Sequence, residues 1–171
     1  SFVDALFMAT SAVCITGLSV SDISTNFSMF GQTVIIVLIQ VGGLGIMTFT
    51  GFFGYFFSGG FSFKNQLMFG EILGENKVAS VIKTLLTIIF ITLLFEFLGA
   101  ILIFSTLEVA NFPTIGSMVF FSIFHSISSF CNAGFSILSG GITNDAYKFN
   151  YPFQLALSIL FILGGLGFGI V

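Results

Sequence analysis

The chain has 171 residues, of which 56% are hydrophobic and only 6% are charged, and its mean hydropathy is +1.15. A soluble domain normally has about a quarter charged residues, so this chain has too few polar groups to cover a soluble surface. We therefore predict an all-α polytopic protein of the cell membrane. The net charge of −3 and the presence of only four cationic side chains, all lysines, exclude a basic nucleic-acid-binding face.

Five apolar stretches follow one another along the chain. A helix needs about 20 residues to cross a bilayer, and three of the stretches reach this length. They are residues 30–57, 81–104 and 152–171. The other two, 2–13 and 114–130, are shorter, so we predict helices that enter the membrane, stop and turn back. Pro113 suits the first turn of the second short helix.

Each short stretch leads into a segment of small and polar residues. The first segment reads "SAVCITGLSV" (Ser11–Val20), and the second segment reads "SISSFCNAGFSIL" (Ser126–Leu138). Cys14 matches Cys131 and Gly17 matches Gly134 at the same offset of 117, and two serines of each segment match as well. The pattern indicates two copies of one unit.

The two segments have the composition expected of re-entrant loops in a cation pore. Irregular backbone is tolerated at membrane depth only where protein buries it or water lines it, and backbone carbonyls can replace the water shell of a cation. Glycine supplies the positive φ angles that such a strand requires. The C-terminal end of each short helix would add partial negative charge near the ion. The predicted filter residues are Ile15, Thr16, Gly17, Leu18, Asn132, Ala133, Gly134 and Phe135.

A second pair of matching sequences is rich in glycine. "QVGGLGI" at residues 40–46 aligns with "LGGLGFG" at residues 163–169 at an offset of 122, so the intervening loop is five residues longer in the second copy. These glycines could serve as gating hinges or allow close helix packing. We favour packing, especially against the short helices.

Together these patterns predict tandem span–pore helix–filter–span repeats, as in potassium channels. The first repeat occupies residues 1–57 without its outer span, a cytoplasmic connection follows at 58–80, and the second repeat occupies 81–171. The sequence starts at Ser1 rather than at Met and stops within an apolar run, so we expect a piece of a longer protein.

The lysines predict the orientation. Three of the four flank the connection between residues 58 and 83, and an excess of lysine is typical of cytoplasmic loops. The two small-residue segments would then face outward. That side carries the acidic residues Asp4, Asp22, Glu108 and Asp145 against a single lysine, Lys148. Acidic groups around an outer mouth would concentrate cations, but the same pattern arises if lysines are simply kept inside.

Several other side chains have roles that the sequence leaves open. Glu96 lies near the middle of a predicted span, where a carboxyl group is either functional, or else protonated or hydrogen-bonded to neighbouring backbone. For His125 we favour a packed, neutral ring over a ligand, and for Asn132 we expect the backbone to matter more than the amide. Cys14 and Cys131 lie in apolar surroundings, which predicts buried free thiols.

The quoted motifs resemble a known family. "ALFMATSAVCITGLSVSD" and "GQTVIIVLIQVGGLGIMTF" look like the first pore loop and following span of the Ktr/Trk/HKT superfamily of potassium transporters, and they are most similar to the bacterial Ktr-type membrane subunit. "FHSISSFCNAGFSI" and "FILGGLGF" look like its second pore loop and following span. The resemblance covers essentially the whole chain, with the motifs in the same order.

The resemblance implies potassium uptake through a filter of backbone carbonyls, with K⁺ as the transported ion. In that family four such units surround one pore and each supplies a filter glycine, so Gly17 and Gly134 would be two of the four. Members with serine at the first position tend to admit sodium, whereas this chain has glycine there. The resemblance also implies a homodimer in the lipid bilayer, docked on a cytoplasmic nucleotide-binding ring, and a gating loop in a later span.

The sequence also bears on three functions other than potassium transport. A sodium-conducting or sodium-coupled relative would carry similar motifs, so Na⁺ is the second candidate ion. A noncatalytic membrane scaffold would not explain a duplicated filter-like segment. A membrane-embedded hydrolase is disfavoured, because the chain has a single histidine, a single mid-span acid and no Gly-x-Ser-x-Gly sequence. We therefore predict a transporter and not an enzyme.

Overall fold

A computed structural model describes residues 2–58, 76–141, 144 and 147–166. Every regular element in these ranges is a helix, which confirms the all-α class. The helices are α1 (Phe2–Val13), α2 (Ile23–Asn26), α3 (Met29–Ser58), α4 (Asn76–Thr106), α5 (Ile115–Phe130) and α6 (Tyr151–Leu166), with a short 3₁₀ turn at Val109–Asn111. The helices α3, α4 and α6 coincide with the three long apolar stretches, and α1 and α5 with the two short ones.

Two helix boundaries differ from the prediction. The helix α4 begins at Asn76, inside the predicted connection, because hydropathy marks only the apolar part of a helix and residues 76–80 contain no glycine or proline. The helix α5 begins after Thr114, so Pro113 precedes the cap instead of lying in the first turn. Thr114 Oγ1 accepts a hydrogen bond from the Ser117 N–H at 3.1 Å, and Ser117 Oγ accepts one from the Thr114 N–H at 3.3 Å. This reciprocal pair satisfies N–H groups that the helix itself cannot pair.

The helix α4 has the properties of a membrane span. Its stretch Leu86–Thr106 has 21 residues and a mean hydropathy of 2.6, so it is long and apolar enough to cross a bilayer. The side chains of Phe90, Leu93 and Phe97 are more than half exposed on its surface. An apolar face of this kind is stable against lipid and costly against water.

The buried side chains form two apolar clusters that share helix α5. One cluster joins α4, α5 and α6 through residues such as Ile103, Met118 and Phe153. The other joins α1 and α3 to the opposite face of α5, where Met8 and Ile39 pack with Phe124. The short helix α5 therefore holds the two halves of the described structure together.

Two glycines let the long helices approach the ends of the short ones. A Cβ atom at Gly42 of α3 would overlap the carbonyl oxygen of Val13, the last residue of α1. A Cβ atom at Gly164 of α6 would overlap the carbonyl oxygen of Phe130, the last residue of α5. These contacts confirm that the glycines at 42 and 164 serve helix packing, whereas Gly167 lies outside the described residues.

We expect Gly42→Ala and Gly164→Ala to destabilise the protein by about 1–3 kcal/mol each, because the added methyl group would push a helix away from a carbonyl that cannot move independently. Gly45→Ala is the matched control, since no described atom lies within 4 Å of a Cβ atom built there. Thermal melting of the three variants in detergent measures the effect. Equal melting temperatures for all three would contradict the assignment.

Candidate functional site

The two small-residue segments have the same backbone shape. After α1 ends, Ile15 has φ +54° and Gly17 has φ +73°; after α5 ends, Asn132 has φ +56° and Gly134 has φ +72°. Positive φ is uncommon outside glycine and is strained for a β-branched residue such as Ile15. Such strain persists only where the surrounding structure enforces it. The matched pairs of positive φ angles therefore indicate that both segments have the same structural role.

Matching serines hold each segment against its own helix. The Ser11 hydroxyl donates to the carbonyl oxygen of Leu18 at 2.7 Å, and the Ser128 hydroxyl donates to that of Phe135 at 2.6 Å. The carbonyl oxygen of each serine also accepts a backbone N–H from the segment, at 3.0 Å and 2.8 Å respectively. The sequence pairs these serines at one offset, but only the structure assigns their partners.

The two segments lie side by side. The Ala133 carbonyl oxygen is 2.6 Å from the position of a Cβ atom on Gly17, and the Cα atom of Gly134 is 3.6 Å from the same position. An open cavity of about 440 Å³ lies against both segments. Of the eight predicted filter residues, Gly17, Gly134 and Phe135 line this cavity. The fold thus brings together two glycines that are 117 positions apart in the sequence.

Asp22 places a negative charge beside the cavity. Its Oδ1 atom accepts hydrogen bonds from the Ser24 hydroxyl at 2.6 Å and from the Ser24 N–H at 2.9 Å. These bonds lower the pKa of the Asp22 carboxyl, so it is ionised at neutral pH. Its Oδ2 atom accepts the N–H of Gly140 at 3.4 Å, which links the two loops that follow the segments. Among the described acidic residues, Asp22 alone lines the cavity, and Asp145 lies outside the described ranges.

Glu96 connects three helices. Its Oε2 atom accepts a hydrogen bond from the Gln40 amide of α3 at 3.0 Å, and its Oε1 atom accepts one from the Cys131 thiol at 3.7 Å. The Ser126 hydroxyl of α5 donates to its backbone carbonyl at 2.6 Å. The side chain is 5% exposed. The carboxylate is therefore hydrogen-bonded to one side chain of α3 and to one side chain of the second segment, and not to neighbouring backbone.

His125 lies on α5 with its ring buried, as we predicted from the sequence. It is 1% exposed and lies between Phe121 and Phe124. Its ring nitrogens contact the carbonyl oxygen of Phe121 at 2.9 Å and the Ser136 hydroxyl at 3.0 Å. Across the parts of the chain that the structure describes, no three histidine, cysteine or acidic side chains come together as a metal site.

The amide of Asn132 has a larger role than the sequence analysis expected. In the orientation that satisfies both of its ends, Nδ2 donates to the carbonyl oxygen of Phe161 and Oδ1 accepts the N–H of Gly165, each at 3.1 Å. Phe161 and Gly165 are four residues apart, so the amide bridges two groups that pair with each other in a regular helix. The amide therefore connects the middle of the second segment to α6. Ile15, at the matching position, has no polar side chain.

The two cysteines differ, and the prediction for one of them is wrong. Both are free, and Cys131 is buried, but Cys14 is exposed. Cys131 is covered because Glu96 of α4 contacts its thiol and Gly43 of α3 lies against it.

Comparison with known proteins gives consistent matches over the whole chain. The family profile of the TrkH cation transport proteins matches residues 1–171. The potassium/sodium uptake protein NtpJ of Enterococcus hirae is 37% identical over 169 residues, which cover 98% of this chain and 36% of the relative. The Ktr system potassium uptake protein B is 36% identical in Bacillus subtilis, over 100% of this chain and 38% of the relative. The protein of that name in Vibrio alginolyticus is 36% identical, over 100% of this chain and 37% of the relative.

The chain thus spans little more than a third of the length of these relatives. The aligned region covers 98–100% of this chain and so includes both small-residue segments. The chain belongs to the TrkH family of cation transport proteins, within the Ktr/Trk superfamily.

Proposed function

We propose that this chain supplies two of the four units of a potassium uptake pore in the cell membrane. The observation that carries the proposal is the pair of matching segments, each with two positive φ angles and a serine-to-carbonyl bond, side by side at one cavity. Duplicate strands of this shape suit a filter in which backbone carbonyls replace the hydration shell of a cation. The remaining units would come from a part of the protein outside this chain or from a second copy of it.

The chief ligands would be carbonyl oxygens in the middle of each segment. These belong to Ile15, Thr16 and Gly17, and to Asn132, Ala133 and Gly134. The carbonyls of Leu18 and Phe135 are also candidates, but each already accepts a serine hydroxyl and so offers one lone pair fewer to an ion. A hundredfold preference for one ion corresponds to about 2.7 kcal/mol, so small shifts of these oxygens are enough to change selectivity.

The setting of the pore follows from the same features. The long apolar helices would cross the bilayer in several passes, with the lysine-flanked connection in the cytoplasm and the cavity open to the outside. The ionised Asp22 would then attract cations to the mouth. By the family resemblance, we further propose a homodimer of pores docked on a cytoplasmic nucleotide-binding ring.

A sodium-conducting or sodium-coupled transporter is the second candidate. The similarity to an Enterococcus hirae protein named for both potassium and sodium uptake favours it. The presence of glycine rather than serine at position 17 favours potassium. Competitive uptake of the two ions by the full-length protein, in cells that lack their own potassium systems, distinguishes these candidates.

We expect Gly17→Ser and Gly134→Ser to lower the preference for potassium over sodium by tenfold or more. Both glycines have φ angles that a serine adopts only with strain. At Gly17 the new Cβ atom would also meet the Ala133 carbonyl oxygen at 2.6 Å, whereas at Gly134 the nearest described atom is 3.7 Å away. Gly17→Ser should therefore lower the uptake rate more than Gly134→Ser.

Gly141→Ser is the matched control for this comparison. Gly141 has φ +70°, and no described atom lies within 4 Å of its Cβ position, so the substitution adds the same backbone strain outside the proposed filter. It should keep the ion preference. Competitive uptake is measured at equal amounts of protein in the membrane. If both filter variants keep the rate and preference of the parent, the two segments are not the filter.

For Glu96 we expect Gln to be tolerated and Leu to lower uptake strongly. Glutamine still accepts a hydrogen bond from Gln40 or Cys131, whereas leucine leaves the partly buried Gln40 amide without its partner, at a cost of about 1–3 kcal/mol. Thr92→Val is the control, because the Thr92 hydroxyl is buried one turn away on α4 and has no hydrogen-bond partner among described atoms. Full uptake by Glu96→Leu would show that the carboxylate does not hold the helices together.

Cysteine labelling tests the proposed orientation. In a background without Cys14 and Cys131 that retains uptake, a cysteine at Asn144 should react with a membrane-impermeant reagent on intact cells. A cysteine at Ser62, within the lysine-flanked connection and outside the described residues, should react only after the cells are opened. Labelling of position 62 from outside would overturn the orientation.

A further inference from the structure

A buried histidine supports the second segment and has no counterpart in the first. At the offset of 117, His125 matches Met8 and Ser136 matches Ser19. Met8 is fully buried in the apolar cluster under α1, while the Ser19 side chain is exposed. The hydrogen bond between His125 and Ser136 is therefore present in only one of two segments whose backbones are otherwise alike.

The hydrogen-bond geometry determines which ring nitrogen of His125 carries the proton. Nδ1 lies 2.9 Å from the Phe121 carbonyl oxygen, which can only accept, so Nδ1 is the protonated nitrogen. Nε2 is then an acceptor, and the Ser136 hydroxyl donates to it at 3.0 Å. The same hydroxyl oxygen accepts the N–H of Leu138 at 3.1 Å. In this arrangement both ring nitrogens and the hydroxyl are satisfied.

The imidazole ring is held by aromatic side chains from two helices. Its centroid is 4.0 Å from that of Phe121 on α5 and 5.9 Å from that of Phe153 on α6. Tyr147 packs on both of these phenylalanines from the loop that precedes α6. A ring enclosed in this way cannot turn without repacking its neighbours. The position of Ser136 is therefore coupled to the packing between α5 and α6.

We propose that His125 is a positioning residue for ion selectivity, acting through Ser136 on the second segment. Ser136 lies two residues after Gly134 and lines the cavity. Together with the Ser128 bond to Phe135, the bond to His125 holds successive residues on the C-terminal side of Gly134. The inference rests on the proposed filter function of this segment. It means that the second segment keeps a fixed geometry that discriminates between ions, whereas the first segment adapts its geometry more readily.

The test compares five variants in the full-length protein by competitive potassium and sodium uptake at matched amounts in the membrane. His125→Leu and Ser136→Ala each remove the bond and should lower the preference for potassium about tenfold. Their combination should lower it no further, because both act through one bond. His125→Gln keeps an acceptor near the position of Nε2 and should retain most of the preference. Ser122→Ala removes another buried hydroxyl of α5, one that donates to the Met118 carbonyl, and should leave the preference unchanged.

Two results would overturn the proposal. One is an unchanged ion preference in Ser136→Ala, the mildest substitution, at normal protein amount. The other is an equal loss in Ser122→Ala, because the effect would then reflect the general stability of α5. Failure of the filter itself is recognised separately, since Gly134→Ser would then also keep the parental preference. If Gly134→Ser loses the preference while Ser136→Ala keeps it, only the role of His125 is refuted.

Discussion

The rest of the site depends on one hydrogen bond in each segment. In each, a serine hydroxyl on the short helix donates to a carbonyl oxygen seven residues later. This bond folds the chain back along the helix that precedes it, at Ser11 in the first segment and at Ser128 in the second. The backbone between the two bonded groups then adopts positive φ at two places. Without this bond the strained segment would lose a contact that enforces its shape.

The glycines outside the segments serve the same arrangement. Gly42 and Gly164 let a long helix touch the last carbonyl of each short helix, so the point at which the chain turns is clamped from the side. Gly99 lets α4 approach a different point of α5, since a Cβ atom there would lie 2.5 Å from the Ser126 hydroxyl oxygen. Small residues and buried hydrogen bonds are the means by which helices associate in a medium that offers no hydrophobic driving force.

The polar contacts that hold the second unit differ from those of the first. Glu96 reaches its helix end through Cys131, Asn132 bridges to α6, and His125 fixes Ser136. In the first unit the positions that match the last two are occupied by Ile15 and Met8, which pack as apolar side chains. Two strands of equal backbone shape are thus supported in different ways. A pore formed from such units would be close to symmetric in its carbonyls but not in the stiffness of its walls.

The sequence alone determined the membrane class, the all-α fold, the ends of most helices and the pairing of the two segments. These properties depend on local composition and on an offset that can be counted. The sequence also indicated the glycine packing, because small residues recur where two helices meet. It did not indicate that Asn132 uses its amide, that Cys14 is exposed or that His125 bonds Ser136. Each of these depends on which side chain from a distant part of the chain lies opposite. Only the tertiary structure decides that, because hydrogen bonds between helices form between residues that are adjacent in space and remote in sequence.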